Sequence, residues 1–145
     1  MMKRNPIILL LLMALLLAAE TRAQSYTITV NITGLRSDKG RFYLSLYNSA
    51  EGYPKKASAA YRLSSAPIAQ GRSTVILAGI PAGEYAIACY HDENDNGKLD
   101  ANFFGVPVEG TGASNNARGS LGPPKFKDAK FLVKTDTSQN IKIVY

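Results

Sequence analysis

The chain has 145 residues, 46% hydrophobic and 19% charged, with a formal net charge of +6 and a single cysteine. That length accommodates one domain rather than two. One cysteine excludes a disulfide framework, and the basic excess has neither a long Lys/Arg run nor a basic stripe interleaved with aromatics, so nucleic-acid binding finds no support.

Lys3 and Arg4 precede an apolar run of 13 residues, Ile7 to Ala19, and the small residue Ala23 closes the segment. That order predicts a cleaved secretory signal peptide over 1–23. A transmembrane anchor is the competing reading, but a spanning helix needs about 20 apolar residues. The expected cut follows Ala23, with a cut after Ala19 as second choice, and no cysteine stands beside either to carry a lipid. The mature chain, 24–145, is then expected in the periplasm or outside the cell as one domain, with 14 basic and 10 acidic residues and a net charge of +4. Cys89 reads as a small buried side chain. A redox or nucleophilic role would draw on His91, two residues on and on the same strand face.

Along the mature chain, Tyr26 to Thr33 alternates apolar and polar with period two, the pattern of a half-buried strand. Gly34 to Gly40 is a turn. Arg41 to Asn48 is a second strand, with Phe42, Leu44 and Leu46 on one face. Residues 58–64 and 72–78 are expected as the third and fourth strands. A tight corner over Ile80 to Gly83 leads into Glu84 to His91, apolar on both faces like a central strand. Lys130 to Lys134 and Asn140 to Tyr145 complete the set. About seven short strands at intervals near ten residues predict an all-β, antiparallel immunoglobulin-like sandwich. Tyr85, just past the corner, resembles a tyrosine corner; a plain strand-edge aromatic is the alternative. Residues 105–124 hold five glycines and three prolines, and a segment of that length without regular structure is usually functional or disordered. With Phe103, Phe104, Val106, Val108 and Leu121 as apolar anchors, it is expected to form an ordered excursion over one end of the sandwich.

Between the central strand and that excursion lies Asp92-Glu93-Asn94-Asp95-Asn96-Gly97-Lys98-Leu99-Asp100. It holds four of the mature chain's ten acids and is net −3. Crowded like charges repel, and a cation relieves them. With Asp92 as position 1, Asn94, Asn96, Lys98 (through its carbonyl) and Asp100 fall at positions 3, 5, 7 and 9 of an EF-hand calcium loop, and Gly97 falls at the sharp turn at 6. These oxygen donors suit a hard cation, Ca²⁺. Position 12 is Phe103 instead of a bidentate Glu, and the preceding element is a strand, so the pattern is a partial loop on a β scaffold. Glu109 is the first candidate for the missing ligand, with Glu93 and Asp95 also near. A site lacking the clamp is expected to be weak, with a dissociation constant of roughly 10⁻⁴ to 10⁻³ M. The alternative is an unliganded hairpin, since Asn-Gly favours a type I′ turn and Asp and Asn stabilise turns through their own side chains.

Catalysis has little to rest on. His91 is the sole histidine, Ser114 lacks the closing glycine of a nucleophile elbow, and Asp92 with Glu109 has no characteristic spacing for an acid/base pair. The expectation is a non-enzymatic module.

The run Pro81-Ala82-Gly83-Glu84-Tyr85, then His91-Asp92-Glu93-Asn94, Asn96-Gly97-Lys98-Leu99-Asp100, Phe103-Phe104-Gly105-Val106-Pro107, Ser114-Asn115-Asn116 and Gly122-Pro123-Pro124-Lys125-Phe126 resembles a bacterial family of exported proteins catalogued as domain of unknown function 2141. The resemblance implies export, a β-sandwich and no assigned activity. More distantly, the corner and the Asp/Asn-rich turn are similar to prealbumin-like and collagen-adhesin B-type sandwiches, which are stalk and binding modules, some carrying calcium. The expected role is a binding or structural module. Its calcium would brace the 105–124 excursion; the alternative is an accessory domain binding a carbohydrate, peptide or envelope protein through that excursion.

Overall fold

A computed structural model describes residues 24–145; the predicted leader, 1–23, lies outside the described residues. Two sheets face each other. Strand β1 (Ser25–Thr33) lies between β4 (Ser73–Pro81) and β8 (Thr137–Lys142) in the smaller one. The larger runs β3 (Arg62–Ala66), β2 (Arg41–Tyr47), β5 (Gly83–Asp92), β6 (Thr111–Ala113), with β7 (Phe131–Val133) also paired to β5. The architecture is an all-β sandwich, and its pairs are antiparallel apart from β1 with β8, which is parallel.

Period-two patterning decides which face turns inward. Ile28, Val30 and Ile32 of β1, Phe42, Leu44 and Leu46 of β2, Val75 and Leu77 of β4, Ile87 and Cys89 of β5, and Ile141 and Ile143 form one core cluster. Each such aliphatic side chain stabilises the fold by about 1.5–3 kcal/mol when fully buried. A bulge interrupts the β1–β4 register between Tyr26 and Ile28, and the Thr27 amide at the bulge donates to Asp136 Oδ1 at 2.8 Å. Tyr85 is buried and its hydroxyl returns to the Pro81 carbonyl at 3.0 Å, so it closes the corner as the sequence pattern anticipates.

Three differences from the sequence reading have local causes. The third strand starts at Arg62, because residues Ala57–Ala59 wind into a 3₁₀ turn. A short helix, α1 (Phe126–Ala129), precedes β7. The excursion is ordered but not by apolar anchoring: Phe103 is 97% exposed, Phe104 84% and Leu121 103%, with Val106 and Val108 also exposed. Hydrogen bonds hold it instead. Its middle supplies a strand beyond the expected seven, β6, paired to β5. Thr111 exchanges backbone bonds with Val144 at 2.8 and 3.0 Å, which joins the two sheets along that edge. Ser114 then accepts the Ile87 amide and donates to the Ala129 carbonyl, and Asn116 bridges to β8. Among the described residues no helix is long and apolar enough to cross a membrane.

Candidate functional site

Strand β5 delivers His91 and Asp92 to one end of the sandwich, both fully buried. Gly40 packs against this end so closely that a Cβ would stand 1.8 Å from the Asp92 carbonyl oxygen. That contact fixes where the strand stops and the acidic loop begins.

The loop folds around its own side chains. The Asn96 and Gly97 amides donate to Asp92 Oδ1 and Oδ2 at 3.1 and 2.7 Å. Asn94 Oδ1 accepts the Asn96 amide and Asn96 Oδ1 accepts the Lys98 amide. Both side-chain amides point their nitrogens at Asp100: Asn94 Nδ2 donates at 2.6 Å and Asn96 Nδ2 at 3.1 Å to each oxygen. Gly97 takes the left-handed turn, with φ +76°. The side chains at loop positions 3, 5 and 9 are thus brought together, position 1 holds the turn's main-chain amides, and Lys98 lies exposed beside them.

Glu109 reaches the loop from the excursion. It is buried, and its two oxygens accept the Glu93 and Asp100 amides at 2.9 and 3.0 Å. It therefore bolts the two ends of the loop together at the root. Glu93 faces the other way: Arg36 Nε donates to both its oxygens at 3.0 Å, Arg36 Nη2 adds a further bond, and Ser37 joins at 3.2 Å. Hydrogen bonds from Arg36 hold the Glu93 carboxyl below the ordinary range. Asp95 sits exposed at the tip with φ +58°.

Several residues in this end were not singled out from the sequence. The Arg36 guanidinium lies 4.2 Å from the Tyr145 ring centroid. His91 Nε2 donates to the Lys39 carbonyl at 2.7 Å, and its Nδ1 accepts the Tyr145 hydroxyl, which in turn accepts the Arg36 amide. For Tyr145 the available signal is period two: Ile141, Ile143 and Tyr145 alternate onto one face. Tyr90 stacks on Tyr43 with centroids 5.3 Å apart and donates to the Gly97 carbonyl at 3.2 Å. Burial first, then the Asp92 charge, push its phenol up to about 12. Tyr90 alternates with Asp92 on the outward face of β5, which was the available signal. Cys89 is buried in the core, and burial pushes its thiol up. His91 and Ser114 are fully buried and hydrogen-bonded to separate parts of the fold.

A family profile described as "Uncharacterized protein conserved in bacteria (DUF2141)" matches residues 30–142. The chain belongs to the DUF2141 family. The match spans both sheets, the acidic loop and the excursion of this DUF2141 domain. No curated protein and no solved structure matches it.

Chemically, the loop offers hard oxygen donors. Rotating the Asn94 and Asn96 amides by half a turn exchanges nitrogen for oxygen on the side facing Asp100. Among the described residues no three His, Cys, Asp or Glu side chains gather into a metal-holding group. A cation here would rest on amide and main-chain oxygens beside Asp92 and Asp100, the donor type that calcium accepts and zinc or copper does not favour.

Proposed function

We propose that this DUF2141 domain is an exported, non-catalytic binding or structural module whose acidic loop takes a calcium ion. The observation that carries the reading is the convergence of the Asn94, Asn96 and Asp100 side chains across a turn made by Gly97, whose amide, with that of Asn96, is held by the Asp92 carboxylate. The ion replaces the amide–carboxylate hydrogen bonds to Asp100 and stiffens a loop that Glu109 already closes at its root. Export is supported by the charged and apolar order of residues 1–23. The similarity to prealbumin-like and collagen-adhesin B-type modules agrees with a binding role. The site opens to solvent at Asn94, Asp95 and Asn96, which fits weak, exchangeable binding with a dissociation constant of roughly 10⁻⁴ to 10⁻³ M.

Thermal melting of residues 24–145 in excess EDTA, in Ca²⁺ and in Mg²⁺ tests it. A ligand held only by the native state at ten times its dissociation constant stabilises by about 1.4 kcal/mol. For a domain of this size that corresponds to a rise of roughly 3–6 °C. The rise is expected with Ca²⁺, absent with Mg²⁺ and lost in Asp100→Ala. An unchanged melt would leave the loop as a hairpin. The reading in which residues 105–124 bind a carbohydrate, peptide or envelope partner without metal would then stand; the exposed apolar side chains of that segment favour it.

A further inference from the structure

The chain between Asp100 and Val108 doubles back on itself. The Val108 amide donates to the Asp100 carbonyl at 3.0 Å, the Asn102 amide to the Val106 carbonyl at 2.8 Å, and the Gly105 amide to the Asn102 carbonyl at 2.9 Å. Asn102 Oδ1 fills the inside of the turn by accepting the Phe104 and Val106 amides, each at 3.0 Å. The product is a small hairpin whose turn displays Phe103 and Phe104, packed edge to face with centroids 5.5 Å apart. They are 97% and 84% exposed, and Val106 and Val108 are more than half exposed behind them.

Two properties of this tip narrow what covers it. The amides of Asn102, Phe104, Gly105, Val106 and Val108 are paired within the hairpin, so from Asn102 to Val108 only the Phe103 amide would lose water without an internal partner. Unpaired amides would otherwise oppose entry into a medium that offers no hydrogen bonds. A protein partner would ordinarily be met with about one hydrogen bond per 100–200 Å². This tip offers little for that: from Ala101 to Val108 it carries no charge, and its one polar side chain, Asn102, spends its Oδ1 on the inside of the turn. The tip is also convex, so it inserts rather than receives. The charges beneath it are acidic, with Asp100, Asp95 and Glu93 answered by Lys98 and Arg36. That arrangement complements a lipid surface without net negative charge better than an anionic one.

We infer that the Phe103–Phe104 hairpin is a lipid-docking tip that inserts its aromatic side chains into the interfacial layer of a zwitterionic membrane. The inference does not depend on calcium in the acidic loop. Insertion here is a surface contact, of the kind an amphipathic interfacial segment makes, and not a membrane span.

The test is co-sedimentation of residues 24–145 with phosphatidylcholine vesicles in EDTA, at low and high salt. This fragment holds both sheets and the core cluster of the described residues, and it omits the apolar run at 7–19, which would bind lipid by itself. The wild-type fragment is expected to bind neutral vesicles with little salt dependence. Phe103→Ser or Phe104→Ser is expected to weaken binding by about tenfold, and the double variant by about a hundredfold. Leu132→Ser, at an exposed leucine on β7, should bind like the wild type. Melting curves of all variants should coincide, since the tip lies outside the core. Three outcomes overturn the inference. One is failure to bind neutral vesicles while binding phosphatidylglycerol vesicles in a salt-sensitive way, which would trace the contact to the net positive charge. Another is equal binding by the double variant. The third is absence of lipid binding together with self-association that the double variant abolishes, which would make a second copy the occupant.

Discussion

Glu109 and Glu93 are two acids with opposite duties at the root of one loop. Glu109 is buried and answered by two main-chain amides; Glu93 is half-buried and answered by the Arg36 guanidinium. From the sequence, both could only be counted as oxygen donors near the loop, with Glu109 first. The folded chain instead uses the Glu109 oxygens to set the spacing of Glu93 and Asp100. Glu93 carries a pH consequence. Arg36 lowers its folded pKa, so its contribution is full above the unfolded carboxylate value of about 4.3 and is lost as pH falls through the lower folded value. Urea midpoints should therefore be higher for wild type than for Glu93→Gln at pH 7, and the gap should close as pH falls below the folded pKa. A gap that persists unchanged into strong acid would mean that the Arg36 contact contributes nothing through Glu93 ionisation.

At the level of elements, the strands with strict alternation were legible and the short ones were not. β1 and β2 fall where their period-two patterns put them, because each has one face in the core; β4 falls close to 72–78, and β5 lies centrally, as a run apolar on both faces predicts. β6 has three residues, too few to show a period, and its place beside β5 is fixed by partners distant in sequence. Ser114 is the pin of that arrangement. Its hydroxyl joins the β5 backbone at Ile87 to the end of α1 at Ala129, and it is fully buried. Ser114→Ala should destabilise the domain by about 1–3 kcal/mol, since a buried amide and a buried carbonyl lose their partner. Chemical denaturation measures this, and a change under 0.5 kcal/mol, about the size of an ordinary surface substitution, would show that water or a shifted backbone replaces the hydroxyl. The hairpin at Phe103 was misjudged for a related reason. Apolar residues in a loop suggest anchors, but Asn102 and the backbone bonds already hold this loop, and that leaves the aromatic side chains free to face outward.

Across the whole molecule, the two sheets meet along the β6–β8 edge, and the parallel β1–β8 pair carries the C-terminal residues to the end where the acidic loop emerges. Tyr145 can therefore bond to His91 and lie against Arg36. That gathering was not visible from spacing, because it depends on which way β8 runs. The overall class was visible, because short strands broken by turn residues leave few alternatives to a sandwich. The same end thus presents the acidic loop and the aromatic hairpin together, joined at Asp100 and bolted by Glu109.

The reading of this end rests on the loop as a calcium site, and amide chemical-shift mapping of residues 24–145 during a Ca²⁺ titration tests that most directly. The account predicts that the Asn96, Gly97, Lys98 and Asp100 amides move together along one binding curve with a midpoint of roughly 10⁻⁴ to 10⁻³ M, while the core amides of β1 and β2 stay still and Mg²⁺ leaves the loop unchanged. Loop amides that do not move at several millimolar Ca²⁺, or shifts spread equally over the exposed acids at Glu51 and Glu84, would contradict it.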